Sequence, residues 1–376
     1  MGNALSRHDA LEECVRNLYL AVGSLNREAP YFQGARGEGL SVYAFDTTTG
    51  HASHVCATSS VDNPTFLSVA ADSGVIYANS EVFGWHEGAV SAYRFDARSR
   101  ELVYLNKQST QGSISAHNTV TRDGQFVLVA NYGMGSGGPD QSLVSLPVRG
   151  NGSLAPAASS VRHAGTLGPA TDRQERSHPH CVVETPEGGI FLSADLGLDE
   201  VIAYRLDGAG AFTRLGSVAT APGAGPRHIA QHSNGRFVYV SNELNSTVSL
   251  IERAGEHMRL AQTLPTVPAG FDSHGADIHL SPDGRFLYCS NRGHDTIAAF
   301  RVDQENGSLV EIGYSFTGGA TPRNFTLTPD GNWLLVANQN ADCIVIFAID
   351  KETGNLTDTG KRIEIGTPVC VRPFHL

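Results

Sequence analysis

No apolar run of 18 residues occurs in the chain, so nothing in it is read as spanning a membrane. C-x-x-C pairs are missing as well: Cys14, Cys56, Cys181, Cys289, Cys343 and Cys370 lie far apart. The N-terminus carries no secretory h-region, and reduced thiols in a cytoplasmic protein are the expectation. Most of these cysteines fall in strand-like runs where a small apolar residue suits, which argues against a catalytic or metal-binding thiol. Basic residues are scarce, 27 against 38 acidic, and a net charge of −11 excludes general nucleic-acid binding by long-range attraction. An anion that binds needs a local basic site. The histidines are read as scattered rather than as zinc ligands, and neither a metal nor a cofactor is expected.

What the sequence has in quantity is glycine (41) and proline (17), the composition of many short strands joined by turns. The stretch GPRHIAQHSNGRFVYVSNEL, from Gly225 to Leu244, reads as a β-hairpin: a proline opens it, S-N-G turns it, and FVYV leads to Asn-Glu. The plan returns as GADIHLSPDGRFLYCSNR from Gly275 and TPRNFTLTPDGNWLLVANQ from Thr321, and more loosely from Asn63, Ala116 and His178. Ends of the second strands fall at Asn79, Asn131, Asp195, Asn242, Asn291 and Asn338, spaced 52, 64, 47, 49 and 47 residues apart. The long interval holds a polar insertion at about 165–177, read as a loop of functional interest.

The segment from Val15 to Val61 lacks an opening strand, and TPVCVRPF from Thr367 matches the opening strands of other copies. A chain whose last strand completes its first unit closes a ring. The expectation is an all-β, seven-bladed β-propeller of four-stranded antiparallel blades over residues 15–376, its first blade closed by the C-terminal strand, with 1–14 as a tail. Pro64, Pro179, Pro226, Pro322 and Pro368 are each expected to begin an inner strand, whose edge position tolerates a missing N–H. In the tail, Gly2 and Ser6 of MGNALSR match an N-myristoylation signal; only that lipid would bring the protein to a membrane.

Hairpin geometry puts the S-P-D-G-like turns on one face of the disc. Residues after the opening proline and after the terminal Asn gather on the other, around the channel. There the copies offer His117, Asn118, Tyr132, His180, Asp195, Arg227, His228, Glu243, Asp277, Arg292, Arg323 and Gln339. Arginines converging in an acidic chain point to a bound phosphate or carboxylate. Glu243 and His180 are candidates for proton transfer. Asp283 and Asp330 belong to turns and are read as structural.

The segments SHPHCV, DLGLDEV, GPRHI, SNEL, ADIHLSPDGRFLYCSNRG and TPRNF resemble the β-propeller lactonase family, which includes bacterial-type 6-phosphogluconolactonases and a fungal carboxymuconate cycloisomerase. The resemblance runs from about Leu18 to the end. It implies catalytic roles for His180, Arg227, Glu243 and Arg292; the hairpin geometry adds Arg323, His117, Asn118, Asp195, Gln339 and His228 as substrate-binding candidates. It implies hydrolysis of 6-phospho-D-glucono-1,5-lactone, a small anionic lactone, in the pentose phosphate pathway. Two alternatives stand beside it: a lactonizing cycloisomerase using the arginines for carboxylates, and a non-enzymatic propeller binding protein on its rim. A protein-binding rim would carry aromatic anchors, and charged and amide residues stand there instead.

Overall fold

Each apolar run of the repeat forms a strand, and the computed structural model, which describes residues 17–30, 32–70, 73–134 and 138–376, contains 28 of them. They form seven four-stranded antiparallel sheets, and the inner strands contact one another in cyclic order, so the sheets are the blades of a closed ring. The expected seven-bladed propeller is the observed fold. Its one helical element among the described residues is the 3-10 turn Gln339–Ala341. The Met1–Cys14 tail and the Gly2 lipidation signal lie outside the described residues.

The middle strands are continuous apolar runs because both faces of a blade meet a neighbour. Seven hydrophobic clusters result, one in each gap between adjacent blades. Second strands such as Phe237–Asn242 are buried throughout, whereas outer strands such as His257–Pro265 alternate between exposed and half-buried positions. At the strand ends, Asn131, Asn291 and Asn338 donate their amides to the carbonyls of Thr110, Thr266 and Thr317, each just past the outer strand of the preceding blade, a polar ring at one end of the sheets. Asp283 and Asp330 hold the opposite turns, accepting from Arg285 N and Asn332 N.

The inner strands carry a feature that positions everything functional. Six of them shift register near their first residues, between Ser115 and His117, Pro179 and Cys181, Pro226 and His228, Gly275 and Ile278, Pro322 and Asn324, and opposite Gly23 and Ser24. Such a bulge inserts an unpaired residue and re-aims its side chain. Pro179, Pro226, Pro322 and Pro368 do begin strands. Pro64 does not: the strand starts at Leu67, because the Asn79 side chain accepts from Phe66 N and holds the preceding segment off the ladder.

Ring closure rests on the strand Pro368–His375, which pairs antiparallel with Leu18–Ser24 from Leu18↔His375 to Ser24↔Pro368. Val369, Cys370, Val371 and Phe374 are buried there. Burying such side chains stabilises by about 1.5–3 kcal/mol each, so the strand contributes on the scale of the ~5–15 kcal/mol that separates folded from unfolded domains. We therefore predict that a chain truncated before Pro368 gives no cooperative melting transition by circular dichroism. A truncated protein that melts at the full-length temperature refutes closure by this strand.

Candidate active site

The bulges and the strand ends together build one cavity, about 470 Å³ in volume, at the face opposite the turns. Ala116, His180, Arg227 and Arg323 reach it as the extra residues of four bulged inner strands. Tyr132, Glu243, Arg292 and Gln339 reach it as the residues next to Asn131, Asn242, Asn291 and Asn338. Arginine dominates: Arg27, Arg173, Arg227, Arg292 and Arg323 line the cavity against two carboxylates, Glu81 and Glu243.

Glu243 is the centre. Its Oε2 accepts from Arg227 Nε at 2.9 Å and lies 3.0 Å from Arg292 Nη2, and its Oε1 accepts from Arg173 Nη2 at 2.6 Å. His180 Nε2 stands 4.0 Å away from Oε2. Burial pushes the Glu243 carboxyl toward protonation, but Arg292, Arg227 and Arg173 outweigh it and hold its pKa well below the usual glutamate value. The same burial, with Arg227 beside it, pushes His180 well below the ordinary histidine value, so the imidazole is neutral at neutral pH. Arg227 is brought down to about 9, by burial first and Arg292 second, and remains charged. Arg323 is matched by Glu81 across the channel at 3.1 Å.

Several residues expected in this site lie elsewhere. His117, Asn118, His228 and Asp277 line the lower channel, which opens beside Pro329 on the turn face. The cause is the bulge: in four inner strands it aims one residue into the upper cavity and sends the next ones down the channel. Asn118 is engaged with Ser68 Oγ and Phe66 O. His228 supports Arg227 from below, its Nδ1 bonded to Asp277 Oδ1 at 2.7 Å. Asp195 is wholly buried in its blade, accepting from the backbone of His178, Gly197 and Leu198 and bonded to Ser177 and His163. It fills the structural position that Asn occupies in other blades.

The histidines are not all scattered, as His178 and His180 form an H-x-H and His228 and His232 an H-x-x-x-H. They do not converge: His178 bonds Tyr132 O and Glu175, and His232 bonds Asn234 N and Gln304 on the turn side. Among the described residues no group of three or more His, Cys, Asp or Glu is arranged to hold a metal ion.

Sequence reasoning missed Arg173, Glu81 and Arg27. Arg173 comes from the 165–177 insertion, which the adjoining Gln174 ties to the blade through Leu196 O and Asp199 Oδ1, both at 2.8 Å. Asp199 in turn accepts from Gly223 N and Gly225 N, just before Pro226 and Arg227. The insertion and the GPRHI segment are thus built on one carboxylate. Arg27 comes from the long first-blade loop, paired with Asp62 at 2.6 Å. The unusual length of both loops was the available signal.

The profile of seven-bladed β-propeller lactonases matches residues 19–373. A 6-phosphogluconolactonase of Bacillus subtilis is 38% identical over 293 residues, covering 77% of this chain and 80% of that one. A 6-phosphogluconolactonase of Formosa agariphila is 32% identical over 313 residues, covering 81% and 85%. Among solved structures, the periplasmic gluconolactonase of Pseudomonas aeruginosa superposes with a TM-score of 0.85 at 32% identity, over 95% of this chain and 99% of that one. With nearly the whole ring inside the profile, the chain belongs to the seven-bladed β-propeller lactonase family.

Proposed function

We propose that the protein hydrolyses 6-phospho-D-glucono-1,5-lactone to 6-phosphogluconate, a step of the oxidative pentose phosphate pathway, in the cavity around Glu243. One observation carries this reading: five arginines face two glutamates there, in a chain of net charge −11. Guanidinium binds phosphate through parallel N–H donors, which suits such a cluster to a phosphorylated substrate. The name of the Bacillus subtilis relative supports the same activity. A volume of about 470 Å³ also falls within the ~300–1,000 Å³ common for small-molecule sites. The five cysteines among the described residues are free, which favours a reducing, cytoplasmic setting.

In this reading water attacks the lactone carbonyl, and its proton passes to Glu243 as the water oxygen bonds to carbon. The carbonyl oxygen gains negative charge, which Arg292 stabilises. Collapse of that intermediate breaks the bond from the carbonyl carbon to the ring oxygen. The departing ring oxygen takes the proton back from Glu243, and neutral His180 orients the exchange by hydrogen bonding. One water is consumed and a hydroxy acid is formed, which ionises in solution. Buried Arg227 keeps the carboxylate aimed.

Two measurements test this. Glu243→Gln keeps the shape but not the base, and we expect kcat to fall about 10²- to 10⁴-fold with little change in KM, after subtracting spontaneous lactone hydrolysis; His180→Asn should lower kcat less. Wild-type kcat in Glu243→Gln removes it as the base. The second is a pH profile, since kcat/KM reports groups of the free enzyme. With Glu243 held well below its usual value, wild-type kcat/KM should show no limb of its own from about pH 8 to about pH 5, only the titration of the substrate's phosphate at about pH 6, and the Glu243 limb should come in stronger acid. After burial, Arg292 is the largest influence on that carboxyl, and it lowers the pKa. Arg292→Ala should therefore move the acid limb toward neutral pH, and an unmoved limb assigns it to another group.

A further inference from the structure

Three guanidiniums hold Glu243, but they do not hold it alike. Arg227 and Arg292 share Oε2 and are each held by a backbone carbonyl, Arg227 Nη1 donating to Ala276 O at 2.9 Å and Arg292 Nη2 to Gly275 O at 3.1 Å. Arg173 alone bonds Oε1. Its side chain is 35% exposed against 2% for Arg227 and 19% for Arg292, so it is the most accessible of the three to an entering molecule. Its backbone is fixed: Arg173 N and Gln174 N both donate to Ala170 O, and the Gln174 side chain is buried against the blade. Any movement of the guanidinium is therefore a rotation of the side chain, not an opening of the loop.

Charge points the same way. Three guanidiniums around one carboxylate leave two positive charges in excess, while Arg323 and Arg27 are matched by Glu81 and Asp62. A phosphate monoester carries about −1.5 to −2 at neutral pH. The surplus fits such a group, and Arg173 is the one of the three whose other hydrogen bond goes to a side-chain hydroxyl, Tyr132 Oη at 3.3 Å, rather than to a backbone carbonyl.

We propose that Arg173 couples substrate binding to chemistry: the phosphate of the lactone draws its guanidinium off Glu243 Oε1, and the freed oxygen accepts the proton of the attacking water. Arg227 and Arg292 stay on Oε2 and keep the carboxylate in place. In the empty site Glu243 is a capped, weak base; phosphate binding uncaps it. The phosphate thereby raises kcat as well as affinity, which is how binding energy remote from the reacting carbon is turned into rate. This rests on the lactonase reading of the cavity.

The test compares 6-phosphogluconolactone with unphosphorylated gluconolactone on wild type and Arg173→Ala, corrected for spontaneous hydrolysis. In Arg173→Ala, kcat/KM for the phosphorylated lactone should fall about 10- to 100-fold, the loss of a charged hydrogen bond. At the same time kcat for the unphosphorylated lactone should rise, because Oε1 is permanently uncapped. A second arm needs no variant: inorganic phosphite added to wild type with unphosphorylated gluconolactone should stimulate hydrolysis, and should not do so in Arg173→Ala. Equal losses on both lactones, or phosphite that only inhibits wild type, overturn the role of Arg173 while leaving the lactonase reading intact. A wild-type protein that hydrolyses neither lactone overturns that reading and this proposal with it.

Discussion

A carboxylate buried at the mouth of the channel is the constraint around which the upper face of the propeller is arranged. An isolated glutamate in that position would take up a proton, because burial disfavours its charge. Glu243 stays ionised only because guanidiniums arrive from an insertion, from the inner strand of its own blade and from the end of a strand in the next blade. The cluster is costly to break at its centre, since removing Glu243 leaves three guanidiniums with no opposing carboxylate. Relative blade positions at this face are therefore set by charge as well as by the seven apolar seams.

The device that delivers these side chains is the bulge near the start of the inner strands. A regular strand would alternate its side chains between the two faces of a blade and send few of them into the channel. One unpaired residue breaks that alternation, and at three bulges the extra residue is His180, Arg227 or Arg323. A proline stands directly before each of the three. It has no N–H to leave unpaired at the point where the ladder is interrupted, so proline and bulge suit one another.

This explains what could be read from the residues alone. Ring closure was legible because it depends on period and turn chemistry, and Thr367–Phe374 repeats the pattern of other opening strands. Glu243, Arg292 and Gln339 were legible because they follow a repeated Asn at a strand end. Asp195 was misread through its charge, although its repeat position marked it as structural. His117 and His228 were misplaced because a register shift of one residue leaves no mark in composition. Arg173 has no counterpart in other blades, so no repeat logic reaches it. Glu81 escaped because it stands two residues after Asn79, where the other copies place the site residue one after the Asn.

The layer beneath the cavity also follows from charge. Arg227 Nη1 lies 3.2 and 3.4 Å from the two ring nitrogens of His228, near-equal distances that put the guanidinium over the ring rather than on one lone pair. A neutral imidazole tolerates a cation there, and a protonated one repels it. Burial, with Arg227 next, brings His228 down to about 4, so the ring stays neutral through the physiological range. Asp277 opposes that shift and fixes the ring through Nδ1, while His279, Asn324 and Phe325 N use its other oxygen. Arg227 is thus clasped between a charged carboxylate above and an uncharged ring below. The asymmetry directs its charge to Glu243, and His117 and His228, both kept neutral by burial, act as a supporting layer whose value lies in not titrating.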